Sequence, residues 1–194
     1  MSRPVMFQLT DSDQRLLLQI ARNAVGAYLH GEVFSPPEVS SGIPSQSFGI
    51  FVSIHKHGEL RGCIGNVHAA GPLYRSAAEC AISAAVDDPR FAPLTNEELS
   101  IVDFEISVLS SMQRIEDITE IEVGKHGLLI RKRGHGGLLL PQVATAYSWD
   151  RIRFLQETCR KGGLKADDWR DGATIHCFTA FVFGEQHPHM TAAS

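Results

Sequence analysis

The seven residues Leu60-Arg61-Gly62-Cys63-Ile64-Gly65-Asn66 constrain this chain more than any other stretch. They set an arginine and a thiol two residues apart, between glycines and aliphatics, in what reads as the second strand of a hairpin. Strand alternation sends Arg61, Cys63 and Gly65 to one face and Leu60, Gly62 and Ile64 to the other. The preceding run, residues 48–55, is apolar on both alternating sets, with Ile50, Val52 and Ile54 on one and Phe51 on the other. Such a run suits a strand covered on both sides. An arginine in that setting needs a partner, because an unpaired buried charge costs several kcal/mol. The glycines remove side chains where something else approaches the backbone. Two readings follow: a binding or catalytic site, or an Arg–carboxylate pair beside a tight bend.

With 194 residues the chain can fill one sizeable core, so it is read as a single domain over 1–194, with its core at about 10–185. The tail at 186–194, with His187 and His189, is expected to be disordered. A net charge of −4 gives no basic face for nonspecific nucleic-acid binding. Cysteines 63, 80, 159 and 177 form no CxxC pair and no zinc-like spacing. With no signal peptide recognised, they are expected to be free thiols of a cytoplasmic protein. No apolar run reaches the roughly 18–20 residues needed to cross a bilayer.

In chain order, Thr10 with Asp11 and Asp13 opens a helix that closes at His30-Gly31. Residues 35–47, rich in Pro and Ser, form a loop before the hairpin, which turns at His57-Gly58. A second helix spans about Leu73 to Val86, with a small-residue stripe for close packing, and stops at Asp87-Asp88-Pro89. Thr95 to Glu98 has capping-box spacing on a short helical turn. Ile101 to Leu109 alternates as a strand, with Phe104, Ile106 and Val108 opposite Asp103, Glu105 and Ser107. Residues 126–133 and 137–140 read as a second hairpin turning at Gly134-His135-Gly136, with Pro141 ending the pairing. A helix from Ser148 or Asp150 closes at Lys161-Gly162-Gly163, and residues 174–183 form one last strand. This order predicts an α+β fold, mostly antiparallel, with helices packed on the sheet.

Cys63 is the cysteine placed for reactivity, since a nearby guanidinium and exposed N–H groups favour a thiolate and hold an anion. A nucleophilic thiol also wants a base. With a two-residue turn His55 pairs with Leu60 and faces away from Cys63; a longer turn reverses that parity. Glu105 is the second candidate catalytic group, as an acid/base or as the counter-charge of Arg61, against a solvated carboxylate as the plain alternative. The candidate ligand-binding residues are Arg61, Gly62, Gly65, Arg90 and Gln142, with Arg90 readable equally as an anion contact or a stabilising ion pair. His55, His57 and Cys63 offer three metal ligands at most, so no metal is expected. No dinucleotide, P-loop, GxSxG, HExxH or kinase pattern occurs, and no cofactor is expected.

The run from Gly58 to Gly65 (GELRGCIG) resembles the hallmark of the AMMECR domain family. The resemblance continues through residues 88–94 (DPRFAPL), 105–110 (EISVLS), 140–144 (LPQVA), Trp149-Asp150 and 159–164 (CRKGGL), covering roughly 10–185. It implies a compact α+β protein in two unequal subdomains, with the LRGCIG strand lining a groove between them. Prokaryotic members commonly appear beside a Memo-type protein and a radical-SAM protein, as component A of the so-called AmmeMemoRadiSam system, so those are the implied partners. The implied ligand is a small anion; the alternative is a noncatalytic adaptor for nucleic acid or protein. Asn66 stands where relatives often carry Thr or Ser.

Overall fold

The computed structural model of the chain describes residues 9–185; the tail at 186–194 lies outside them. The chain divides into two compact units, residues 9–109 with 181–185, and residues 110–180. Both are α+β, each built on a four-stranded sheet.

The larger unit begins with α1 (Asp11–Leu29), whose Thr10 and Asp13 exchange side-chain and backbone hydrogen bonds in a capping box. Gly31 follows at φ 75°, the left-handed conformation expected at the helix end. Strands β1 (Gly49–Lys56) and β2 (Glu59–Asn66) form the predicted hairpin. His57 and Gly58 both have positive φ, as a two-residue turn of the primed type requires. Then come α2 (Leu73–Val86), the single turn α3 (Asn96–Leu99) and β3 (Val102–Leu109).

One detail of the hairpin changes its faces. Ile54 pairs with Gly62 but His55 with Leu60, so Arg61 has no opposite number: it is the extra residue of a β-bulge. The bulge resets the alternation. His55 pairs with Leu60 as expected, yet it shares a sheet face with Cys63, which pairs with Ser53. Arg61 and Cys63, expected on one face, are separated.

The face bearing Ile50, Val52, Ile54, Phe104, Ile106 and Val108 is buried in the core with α1 and α2. Here Gly62 meets α2 directly, since a Cβ at that position would stand 2.1 Å from the Ala84 carbonyl oxygen. The small residues of α2 permit this approach, and Leu73, Ala77, Ala81 and Ala84 are fully buried. Asn66 Nδ2 donates to Cys80 Sγ of α2 at 3.8 Å. The other face carries Phe51, Ser53, His55, Cys63, Gly65, Asp103, Glu105 and Ser107, and it is only half covered.

In the smaller unit, β4 (Gln113–Ile115), β5 (Gly127–Lys132) and β6 (His135–Leu139) precede α4 (Pro141–Ala146), α5 (Arg151–Lys161) and β7 (Thr174–Phe178). The β5–β6 turn falls at Arg133-Gly134, both with positive φ, ahead of the predicted Gly134-His135-Gly136. Pro141 ends the pairing but also opens α4, a helix the sequence reading lacked; proline suits that position because a first-turn N–H has no partner to lose. Asp150 caps α5 through the Arg153 N–H. Gly137 lets β6 press against α5: a Cβ there would stand 2.0 Å from the Thr158 carbonyl oxygen.

The predicted last strand is two. β7 lies in the sheet ordered β4-β7-β5-β6, and β8 (Ala180–Gly184) lies in the sheet ordered β2-β1-β3-β8. The break is at Thr179, whose N–H donates to Ser110 Oγ while its carbonyl accepts the Ser110 N–H.

Candidate site around Cys63

Cys63, Ser53 and Glu105 stand in one row across β2, β1 and β3. Ser53 Oγ donates to Cys63 Sγ at 3.2 Å. Ser53 is buried, while Cys63 is the one thiol of the four that is partly exposed. Glu105 lies beyond Ser53, two strands and roughly 10 Å of backbone from Cys63. His55 and Asp103 form the next row, and Gly65, Phe51 and Ser107 the row on the other side.

β2 is an edge strand, so Cys63 has peptide groups directed away from β1. They are taken up by side chains. Asp88 Oδ2 accepts the Cys63 N–H at 2.8 Å, and Arg90 Nη2 donates to the Cys63 carbonyl at 3.5 Å. Arg90 also forks onto Asp88 through Nε and Nη2, at 2.9 and 2.7 Å. The Asp88 side chain is 3% exposed and that of Arg90 55%. Hydrogen bonds from the Arg90 guanidinium, then from the Cys63 and Arg90 N–H groups, hold the Asp88 carboxyl well below the usual carboxylate range.

Arg61 goes elsewhere. Its Nη2 and Nε donate to the two oxygens of Glu98, at 2.9 and 3.2 Å, and Lys56 Nζ donates to Glu98 Oε1 at 2.9 Å. Lys56 continues the buried set of β1, so this cluster lies on the helix side of the sheet. Arg61, then Lys56, brings the Glu98 carboxyl down to about 2. Arg61's counter-charge is therefore Glu98, not Glu105.

The glycines are filled too. What approaches Gly62 is the Ala84 carbonyl; at Gly65 a Cβ would stand 2.5 Å from Cγ of the Phe51 ring. At both positions the space a side chain would take is filled by the protein's own atoms. Gln142 lies on α4 of the smaller unit, and its buried Oε1 accepts no hydrogen bond among the described residues.

Of the predicted residues, Cys63 and Glu105 share a row with Ser53 between them and Arg90 reaches the Cys63 carbonyl, while Arg61 pairs with Glu98 and Gly62 and Gly65 pack against the protein's own atoms. It adds Ser53, Asp88 and Glu98, which sequence reasoning missed. Ser53 had a signal, as a lone hydroxyl inside an apolar run. Asp88 read only as part of a helix stop, and Glu98 only as the end of a capping box. Chemically the row offers a partly exposed sulfur with a hydroxyl donor, and a guanidinium edge beside its peptide: a group able to attack an electrophile or to bind an anion.

A family model described as AMMECR1 matches residues 18–183. The protein TK0174 of Thermococcus kodakarensis is 40% identical over 195 residues, covering 94% of this chain and 95% of that protein. A protein of Methanosarcina acetivorans is 38% identical over 189 residues, covering 93% and 95%. The crystal structure of the uncharacterized protein PH0010 from Pyrococcus horikoshii has a TM-score of 0.88 at 36% identity, covering 94% of this chain and 96% of that one. On the sequence match and the shared architecture together, the chain belongs to the AMMECR1 family.

Proposed function

We propose that this chain is a cytoplasmic component of a Memo- and radical-SAM-associated system, and that it works through Cys63 on a small anionic ligand. The observation that carries the reading is the setting of Cys63: a partly exposed thiol with a hydrogen bond from Ser53 and the guanidinium of Arg90 on its own carbonyl. Arg90 replaces Arg61 as the anion contact, because more than half of its side chain is exposed whereas Arg61 is spent on Glu98. Glu105 serves as the acid/base group across Ser53. The whole chain acts as one AMMECR-type domain, a reading supported by the length of the family match. The partners come from the company that prokaryotic relatives keep, and the cytoplasm from four free cysteines.

The test is allele replacement in the source organism. A Cys63→Ala protein, expressed at the normal level and melting like the parent, reproduces the metabolite changes of the deletion strain. A Cys63→Ala strain indistinguishable from wild type, where the deletion strain is not, removes the reading.

A further inference from the structure

We propose that Asp88 and Arg90 are positioning residues that form a charge-balanced clamp on the Cys63 peptide and thereby set the reactivity of its thiol. The proposal rests on Cys63 being the working group, but it is read on the thiol itself.

At an edge strand the outward N–H and C=O of a residue ordinarily go to water or to another strand. At Cys63 they go to one side-chain pair: Asp88 takes the N–H, Arg90 the carbonyl, and the two are forked together. The Arg90 N–H closes the arrangement on Asp88 Oδ1 at 3.1 Å. The clamp holds the Cys63 backbone from outside the sheet while Ser53 holds the sulfur from within it. Residues 88–90 thus stand in for a fifth strand, one residue long.

The clamp is also an electrical device. A buried carboxylate hydrogen-bonded to a cysteine's own amide opposes a negative sulfur, and the forked guanidinium opposes that carboxylate. The Arg90 guanidinium is within reach of both, its protonated form favoured chiefly by Asp88 and more weakly by Cys63. The other groups facing the thiol are Ser53 of β1, with Glu105 of β3 beyond it and His55 in the next row. Arg61, nearest in sequence, is absorbed by Glu98. Removing either half of the clamp therefore tilts the field at the sulfur, in opposite directions.

The test is alkylation of Cys63 by iodoacetamide in the folded full-length chain at pH 7.5, followed by mass spectrometry of its peptide. The sulfur bonds to the reagent's methylene carbon, iodide leaves, and the thiol proton goes to water. Arg90→Gln leaves the Asp88 charge uncompensated and slows the reaction; Asp88→Asn keeps an acceptor for the Cys63 N–H, removes the charge and speeds it. Each shift is roughly three- to tenfold for one unit charge at this range. Arg90→Lys restores the rate to within about twofold of the parent. If both variants react faster, the pair is only a steric cover and the proposal falls; rates within about twofold in both, with parental melting, also overturn it. Should Asp88→Asn fail to fold, slowing by Arg90→Gln with recovery by Arg90→Lys supports the clamp, and an unchanged or faster rate in Arg90→Gln refutes it. The metabolite profile of the Cys63→Ala strain is read separately, so failure of the clamp and failure of the proposed function are distinguishable.

Discussion

Replacing Glu98 by alanine strands two cations on the helix side of the larger sheet. The Arg61 and Glu98 side chains are 16% and 17% exposed, and two hydrogen bonds join them. A hydrogen bond to a charged group contributes about 1.5–3 kcal/mol, and a solvated ion pair about 0–1 kcal/mol. Partial solvent screening places the Arg61 fork at about 2 kcal/mol for the pair of bonds and the more exposed Lys56 bond at about 0.5 kcal/mol. Glu98 also accepts the Thr95 N–H in the capping box of α3, for about 1 kcal/mol. Glu98→Ala is therefore expected to cost about 3–4 kcal/mol in urea unfolding at pH 7, and Arg61→Ala about 2 kcal/mol. The double variant should fall short of additivity by about 2 kcal/mol, because the shared bonds are lost only once. The pH dependence has a definite sign. A carboxyl lowered to about 2 in the fold adds stability in full above its ordinary value, about 4.3. That stability is lost as pH falls from there toward 2. Glu98→Gln should lack this component of the acid limb. Full additivity, or an Arg61→Ala variant within about 0.5 kcal/mol of the parent, refutes the assignment and returns Arg61 to the ligand-binding candidates.

Three further outcomes are expected. Gly62→Ala sets a methyl 2.1 Å from the Ala84 carbonyl, in backbone that neither β2 nor α2 can easily shift; about 2–4 kcal/mol should be lost, and a loss under about 1 kcal/mol contradicts the close strand–helix contact. Glu185 accepts a fork from Arg22, at 2.7 and 2.5 Å, and the Phe104 N–H at 2.9 Å. Glu185→Ala should accordingly cost about 1–3 kcal/mol in thermal or urea unfolding, and a neutral result dismisses the clasp. Of the four thiols, Cys63 alone should react promptly with Ellman's reagent in the native protein. Burial pushes the Cys80 thiol up to about 11 and raises Cys159 and Cys177 as well; prompt reaction of a second thiol counts against this assignment.

Helix limits were legible where local chemistry decides them. The helix start at Thr10, the Thr95 capping box, the Asp87-Asp88-Pro89 stop and the Gly31 and Gly163 terminations all read directly from residue type and stand in the fold. So did the α+β class and the alternation of β3. What the residues concealed were decisions made by partners distant in the chain. Residues 174–183 alternate without interruption, yet they divide into strands of two sheets at Thr179, which exchanges two hydrogen bonds with Ser110. Pro141 fits a strand end as well as a helix start. Asp88 looks like punctuation until β2 is placed beside it, because its carboxyl is answered by an amide 25 residues earlier.

The LRGCIG motif shows how one unopposed residue divides a site from a scaffold. In a regular strand Arg61 and Cys63 would face the same way, and a guanidinium beside a thiol is an attractive anion site. The bulge at Arg61 turns that side chain toward Glu98 and leaves Cys63 in register with Ser53. Gly62 then faces α2, where its missing Cβ admits the helix, and Gly65 receives the Phe51 ring. Four of the six residues thereby support the placement of one: Arg61 ties the strand to α3, the glycines seat it, Ile64 packs against the core, and Cys63 stays on the half-covered face. The arginine that serves the thiol comes from the segment after α2, paired with a buried aspartate that also holds the thiol's own peptide. On this division of labour a change at Arg61 should act through stability and a change at Arg90 through the sulfur, so the two arginines are separable by unfolding and alkylation on the same pair of variants.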